Sequence, residues 1–232
     1  LLVYFSAWLK RHEPSAFYCG LLNSQPMGFY SPSQLVQDAR RHNIEIRPVD
    51  ILDSEWESTL EAPAYHGEIA AKQPAIRLGF QRIKGFKEDA AFRITSAKGK
   101  SPRRSIQDSA ERARLDKGDL ARLTEGGAFK SLSGHRYQTH WQVSGLLPHS
   151  PLLAPIQDPL HDNALDKVAE PAQGYSPVIL PAPLETDDLR ADYTSLGLTL
   201  GRPPMAMLPE QTDAPFSQRI TARDLEKVTH GR

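Results

Sequence analysis

Residues 82–94 read RIKGFKEDAAFRI. An apolar Ile83 precedes a short turn, Lys84-Gly85-Phe86-Lys87, and a helix follows with Phe86, Ala90 and Ile94 on one face. A turn of this kind at a helix start presents successive backbone N–H groups. Together with the helix dipole they bind a phosphate oxygen. Lys84 and Lys87 place positive charge beside them. No base edge is read in such a contact, so the binding carries no sequence preference. A packing corner with no ligand uses the same residues, and the pattern alone leaves both readings open.

Other chemistries find no constellation. There is no GxGxxG, no Walker loop and no GxSxG elbow. The eight histidines form no HExxH or HxH pair, and His135 and His140, five apart, fall on different faces of a helix. Asp187 and Asp188 are adjacent at a helix start, where the macrodipole accounts for them. Cys19 lies among Phe17, Leu21 and Leu22 and reads as a small core residue. No catalytic residue and no metal ligand is assigned.

A second unit follows the first in SIQDSAERARLDKGDLARLTEGGAF. Ile106 and Ala110 face inward from one helix. Asp116 caps the next, which turns Leu120 and Leu123 inward and ends at Gly126-Gly127. Net charge over the chain is zero, which by itself argues against a nucleic-acid partner, but the charges are segregated. Residues 1–76 carry 6 basic and 9 acidic side chains, residues 77–136 carry 15 and 7, and residues 137–232 carry 7 and 12. Both units sit in the basic middle segment, whose excess attracts a polyanion such as duplex nucleic acid.

The elements that position these turns are locally specified. Helices are expected over 1–12, over 14–22 behind Pro14, and over 32–42. The last has Ser31 as N-cap, Pro32 as first residue, Gln34 as capping-box partner, a Tyr30–Leu35 staple and Asn43 as a left-handed stop. Strands follow in IEIRP, WESTL and AIRLGF, giving a small antiparallel sheet. Eight prolines between 148 and 183 leave an extended, mobile linker. Thr186 then caps a last helix, DDLRADYTSLGL. The class is α+β, mainly α. Four parts are expected: 1–74, helices with the sheet; 75–146, the two phosphate-binding units; 147–184, the linker; 185–232, a closing helix and its tail.

One cysteine excludes an internal disulfide framework and fits a reducing cytosol. No apolar run approaches the roughly 18 residues that span a bilayer. Leu1, Phe5, Trp8 and Leu9 follow helical spacing from the first residue, as expected of a fragment of a longer protein.

The first turn resembles the helix-hairpin-helix motif, hydrophobic-x-Gly-hydrophobic-Gly, with Lys87 where the second glycine would stand. Longer runs resemble the bacterial C-family DNA polymerases, whose replicative member is the DNA polymerase III alpha subunit. AWLKRHEPSAFYCGLLNSQPMGFYSPSQLVQDARRHNIEIRPVDI is similar to the end of their fingers region. AIRLGFQRIKGF and LARLTEGGAFKSLSGHRYQTHWQV are similar to the tandem helix-hairpin-helix region, and LGLTLGRPPM and ARDLEKVTHGR to the approach to an OB domain. LLNSQPMGFYSPSQLVQDARRH is closest to the error-prone branch used in damage tolerance.

The resemblance implies a fragment of an error-prone DNA-directed DNA polymerase of translesion synthesis and DNA repair, located in the cytoplasm. The palm carboxylates that hold Mg²⁺ would lie before Leu1 and the OB domain beyond Arg232, so the chain by itself would be inactive and hold no cofactor. Only Lys84, Gly85, Phe86 and Lys87 carry over as DNA-binding residues. The implied partner is primer–template duplex, gripped by its backbone. In the whole protein, damage-tolerance accessory proteins and the sliding clamp join it, and no membrane is involved. The same region of the replicative subunit, and a stand-alone helix-hairpin-helix DNA-binding module, are the alternatives.

Overall fold

The computed structural model describes residues 1–63, 73–98, 105–146, 178–204 and 206–207. Three helices open the chain: α1 (Leu2–His12), α2 (Pro14–Asn23) and α3 (Pro32–Arg41). The start of α3 is fixed reciprocally, with Gln34 N–H donating to Ser31 Oγ and Ser31 N–H donating to Gln34 Oε1. Its end is fixed by Asn43 at φ 59°, after which Ile44 N–H donates back to Ala39 O. Tyr30 is 59% exposed, so the expected staple onto Leu35 is not made. Tyr18 ties the three helices together: its hydroxyl donates to Asp38, which also pairs with Lys10 at 2.9 Å.

The sheet has strands β1 (Ile46–Arg47), β2 (Thr59–Glu61) and β3 (Ala75–Arg77), in the order β1-β3-β2. It is mixed, not antiparallel as expected. β1 runs parallel to β3, pairing Ile46 with Ile76, and β2 runs antiparallel to it, pairing Leu60 with Ile76. Burial explains the order. Ala75, Ile76 and Arg77 are buried on both faces and take the centre, whereas Leu60 of β2 is 43% exposed and suits an edge. Buried Arg77 is matched by Glu61, whose carboxylate also pairs with Arg47.

After the sheet come a single 3-10 turn (Phe80–Arg82) and helices α4 (Glu88–Ser96), α5 (Ile106–Arg112), α6 (Lys117–Glu125), α7 (Lys130–Ser133), α8 (Arg136–Ser144) and α9 (Glu185–Ser195). Leu184, not Thr186, is the N-cap of α9, which ends before Gly197 at φ 72°. Of the expected linker 147–184, residues 147–177 lie outside the described residues, and 178–180 run along α8. There Gln138 Nε2 donates to Val178 O and Leu180 N–H donates to Gln138 Oε1. Residues 208–232, with the run ARDLEKVTHGR, are also outside them.

One continuous hydrophobic core runs from Tyr18 and Leu22 of α2 through Ile51, Ile76 and Phe80 to Leu123, Phe129, Leu196 and Leu198. Backbone contacts reinforce it: Ile51 N–H donates to Ala128 O, and Phe80 N–H to Glu55 O. Gly79 passes so close to Trp56 and Glu57 that a Cβ would overlap their backbone. These contacts anchor the chain just before the first turn. Among the described residues no helix is long and apolar enough to cross a membrane.

Candidate nucleic-acid interface

The first turn forms because its residues divide the work. Phe86 N–H donates to Ile83 O at 3.2 Å, closing a four-residue turn whose third residue, Gly85, has φ 70°. Glycine meets that requirement without strain. Phe86 is 6% exposed, with its ring centroid 5.6 Å from that of Phe80. Its side chain is therefore a peg that seats the turn and faces away from solvent. Ala90, Ala91 and Ile94 bury the inner face of α4.

Lys84 and Lys87 are both exposed, but they differ. Lys84 N–H donates to Ser195 O at 2.9 Å and its Nζ reaches Tyr193 O at 3.3 Å, so the end of α9 braces this side of the turn. Lys87, the N-cap of α4, supplies no side-chain cap, and its ammonium has no partner among the described residues. The N–H groups of Gly85, Lys87, Glu88, Asp89 and Ala90 have no protein acceptor among the described residues either. Those of Gly85, Lys87, Glu88 and Asp89 belong to exposed residues and form a set of free donors at a helix N-terminus, whereas Ala90 is buried. Glu88 and Asp89 lie in that first turn, yet Asp89 is turned outward to Arg93 at 3.3 Å and caps nothing.

Two guanidinium groups flank the turn. Burial pulls Arg82 below the ordinary arginine range, and its Nε is buried without a hydrogen-bond partner. Arg122, from α6, lies against Gly85: its Nε is 3.1 Å from where a Cβ on Gly85 would stand. Its guanidinium makes no hydrogen bond or ion pair among the described residues. The sequence reading did not single out Arg122.

The second unit is placed as expected. Asp116 caps α6, Leu120 and Leu123 are buried, and the helix ends at Gly126, followed by Gly127 at φ 71°. Arg93 holds it to the first unit, donating to Ala113 O, Arg114 O and Asp119. Elsewhere, Cys19 is a buried free thiol that donates to Ser58 O. Among the described residues no three His, Cys, Asp or Glu side chains gather to hold a metal ion.

Residues 43–139, which contain the sheet, both turns and the start of α8, match the family model of the helix-hairpin-helix motif. The class of that segment is thus helix-hairpin-helix. Over all 232 residues the chain is 46% identical to an error-prone DNA polymerase of Alkalilimnicola ehrlichii, of which it covers 20%. It is 48% identical over 209 residues, 90% of its length, to one of Azoarcus sp., covering 18% of that protein. It is also 43% identical over 232 residues to one of Pseudomonas aeruginosa, covering 20%. The chain is similar along its length to a segment of these error-prone DNA polymerases, and it spans about a fifth of the length of these relatives.

Proposed function

We propose that this chain serves an error-prone DNA polymerase of translesion synthesis and DNA repair as a scaffold that grips primer–template duplex by its sugar–phosphate backbone. The observation that carries this reading is the set of free N–H donors at Gly85 and at Lys87, Glu88 and Asp89, beside Lys87 and Arg122, whose charged groups have no partner among the described residues. Lys84, Gly85, Phe86 and Lys87 form the turn: Gly85 and Lys87 offer donors, Lys84 is braced from behind, and Phe86 seats the backbone. The nucleotidyl-transfer chemistry, with its Mg²⁺, belongs to other parts of such a polymerase. Accessory proteins and the clamp would act on the whole enzyme, in the cytoplasm.

The test is binding of the full chain to fluorescent duplexes of unrelated sequence at several salt concentrations. Similar affinities for all of them are expected, falling linearly on a log–log salt plot. Failure to bind at low salt, or strong preference for one sequence, would overturn the reading. The chain alone, given primed template, nucleotides and Mg²⁺ or Mn²⁺, is expected to add no nucleotide; template-dependent incorporation by pure protein would contradict its role as scaffold.

A further inference from the structure

The two turns share one register. Their N-caps, Lys87 and Asp116, are 29 residues apart, and the same offset relates the two positive-φ positions, Gly85 at 70° and Arg114 at 48°. It also relates Phe86 to Leu115, Ile94 to Leu123 and Arg93 to Arg122. The units thus share a register, and their differences at matched positions are informative.

In the second turn four donors are already used, while those of Lys117 and Gly118, like those of Glu88 and Asp89, have no acceptor among the described residues. Arg114 N–H donates to Glu111 O and Leu115 N–H to Ala110 O. Asp116 N–H faces Asp119 Oδ2 at 3.4 Å, and Asp119 N–H donates to Asp116 Oδ1 at 2.6 Å. Two carboxylates therefore occupy the place an anion would take, and their charge repels another. In the first turn the matched residues are Lys87 and Ala90. They supply no carboxylate, and the N–H groups of the exposed Gly85 and Lys87 have no acceptor among the described residues.

The paired arginines differ in the same sense. Each reaches across to the other unit's turn. Arg93 is spent there on two carbonyls and on Asp119, which is 1% exposed. Arg122 meets Gly85, and among the described residues no acid or carbonyl receives its guanidinium. A guanidinium beside open N–H groups and a lysine completes a set of donors for a tetrahedral dianion or its diester.

We infer that the two turns are not equivalent: the first takes a DNA phosphate with Arg122 of the second unit as one ligand, and the second takes none. This rests on the duplex-binding reading above. The experiment compares Arg122→Gln, Arg122→Lys and the double variant Arg114→Gly/Lys117→Gln in the full chain, by duplex binding across a salt series with thermal unfolding as control. Loss of one phosphate contact lowers the log–log slope by about 0.9, which is about an eightfold loss of affinity at 0.1 M salt. Arg122→Gln is expected to show that loss. Arg122→Lys should keep the slope, and the double variant should stay near the parent although it removes two exposed charges.

A folded Arg122→Gln protein with the parent's slope overturns the inference, as does a double variant that loses as much slope. Weaker binding at unchanged slope also overturns it, because Arg122 would then act through packing alone. If the parent itself binds no duplex, it is the proposed function that fails, and this inference falls with it.

Discussion

Replacing Arg136 by Met tests whether α9 is part of the gripping unit. Arg136 is 4% exposed and sits at the start of α8. Its guanidinium donates to Glu125 O at 3.1 Å, to Asp188 Oδ1 at 2.7 Å and to Asp192 Oδ1 at 2.5 Å. Asp188 and Asp192 are one helical turn apart on α9, so this one side chain pins that helix to α6 and α8. Removing one partner of a fully buried pair costs roughly 3–5 kcal/mol. The two carboxylates keep 29% and 17% side-chain exposure, and water compensates part of the loss. The expected destabilisation is therefore about 2–4 kcal/mol, a large share of the stability of a domain.

Methionine keeps the apolar stem, which isolates the loss of the guanidinium. Loosened α9 would also withdraw Ser195 O from Lys84 N–H, so duplex affinity should fall although Arg136 itself is buried. Urea unfolding gives the first quantity, and hydrogen exchange over residues 185–200 gives the second. A variant within about 0.5 kcal/mol of the parent, with unchanged exchange there, would refute the pinning role.

Three further outcomes follow from the structure. Burial alone would raise the Glu61 pKa, but Arg77 and Arg47 more than offset it and hold the carboxyl below the ordinary 4.5 of a glutamate. A depressed folded pKa stabilises the protein above the unfolded value and ceases to as pH falls through the folded one. Glu61→Gln should therefore be less stable than the parent at pH 7, with the gap closing as pH falls below about 4.5; a gap constant with pH would contradict this. Burial, reinforced by Glu57, pushes the Cys19 thiol up, so a thiol reagent at pH 8 should modify it slowly in the native chain and quickly in denaturant. Equal rates would mean that the α2 face is open. Lys87→Ala should weaken every duplex about equally and lower the salt slope by about 0.9; discrimination among sequences would mean that Lys87 reads bases.

What the sequence made legible was local. The Ser31–Gln34 box, the Asn43 stop, the Gly85 turn and the Asp116 cap each depend on residues within four or five positions, and each is found where expected. The strand order was not local. The doubly buried run AIR signals a central strand, but which neighbour lies beside it depends on the path of residues 48–74. The docking of α9 was hidden for the same reason, since Arg136 and Asp192 are far apart in sequence and look like ordinary charges. Arg122 had a signal that went unused: it repeats Arg93 in the 29-residue register of the two caps.

The most direct measurement is the backbone amide spectrum of the ¹⁵N-labelled chain during titration with a short duplex. The N–H resonances of Gly85, Lys87, Glu88 and Asp89 should shift most. Those of Arg114, Leu115 and Asp116, already bonded within the protein, should move little. Shifts centred on the second turn, or absent from residues 85–89 while the duplex binds, would contradict the placement of the phosphate site.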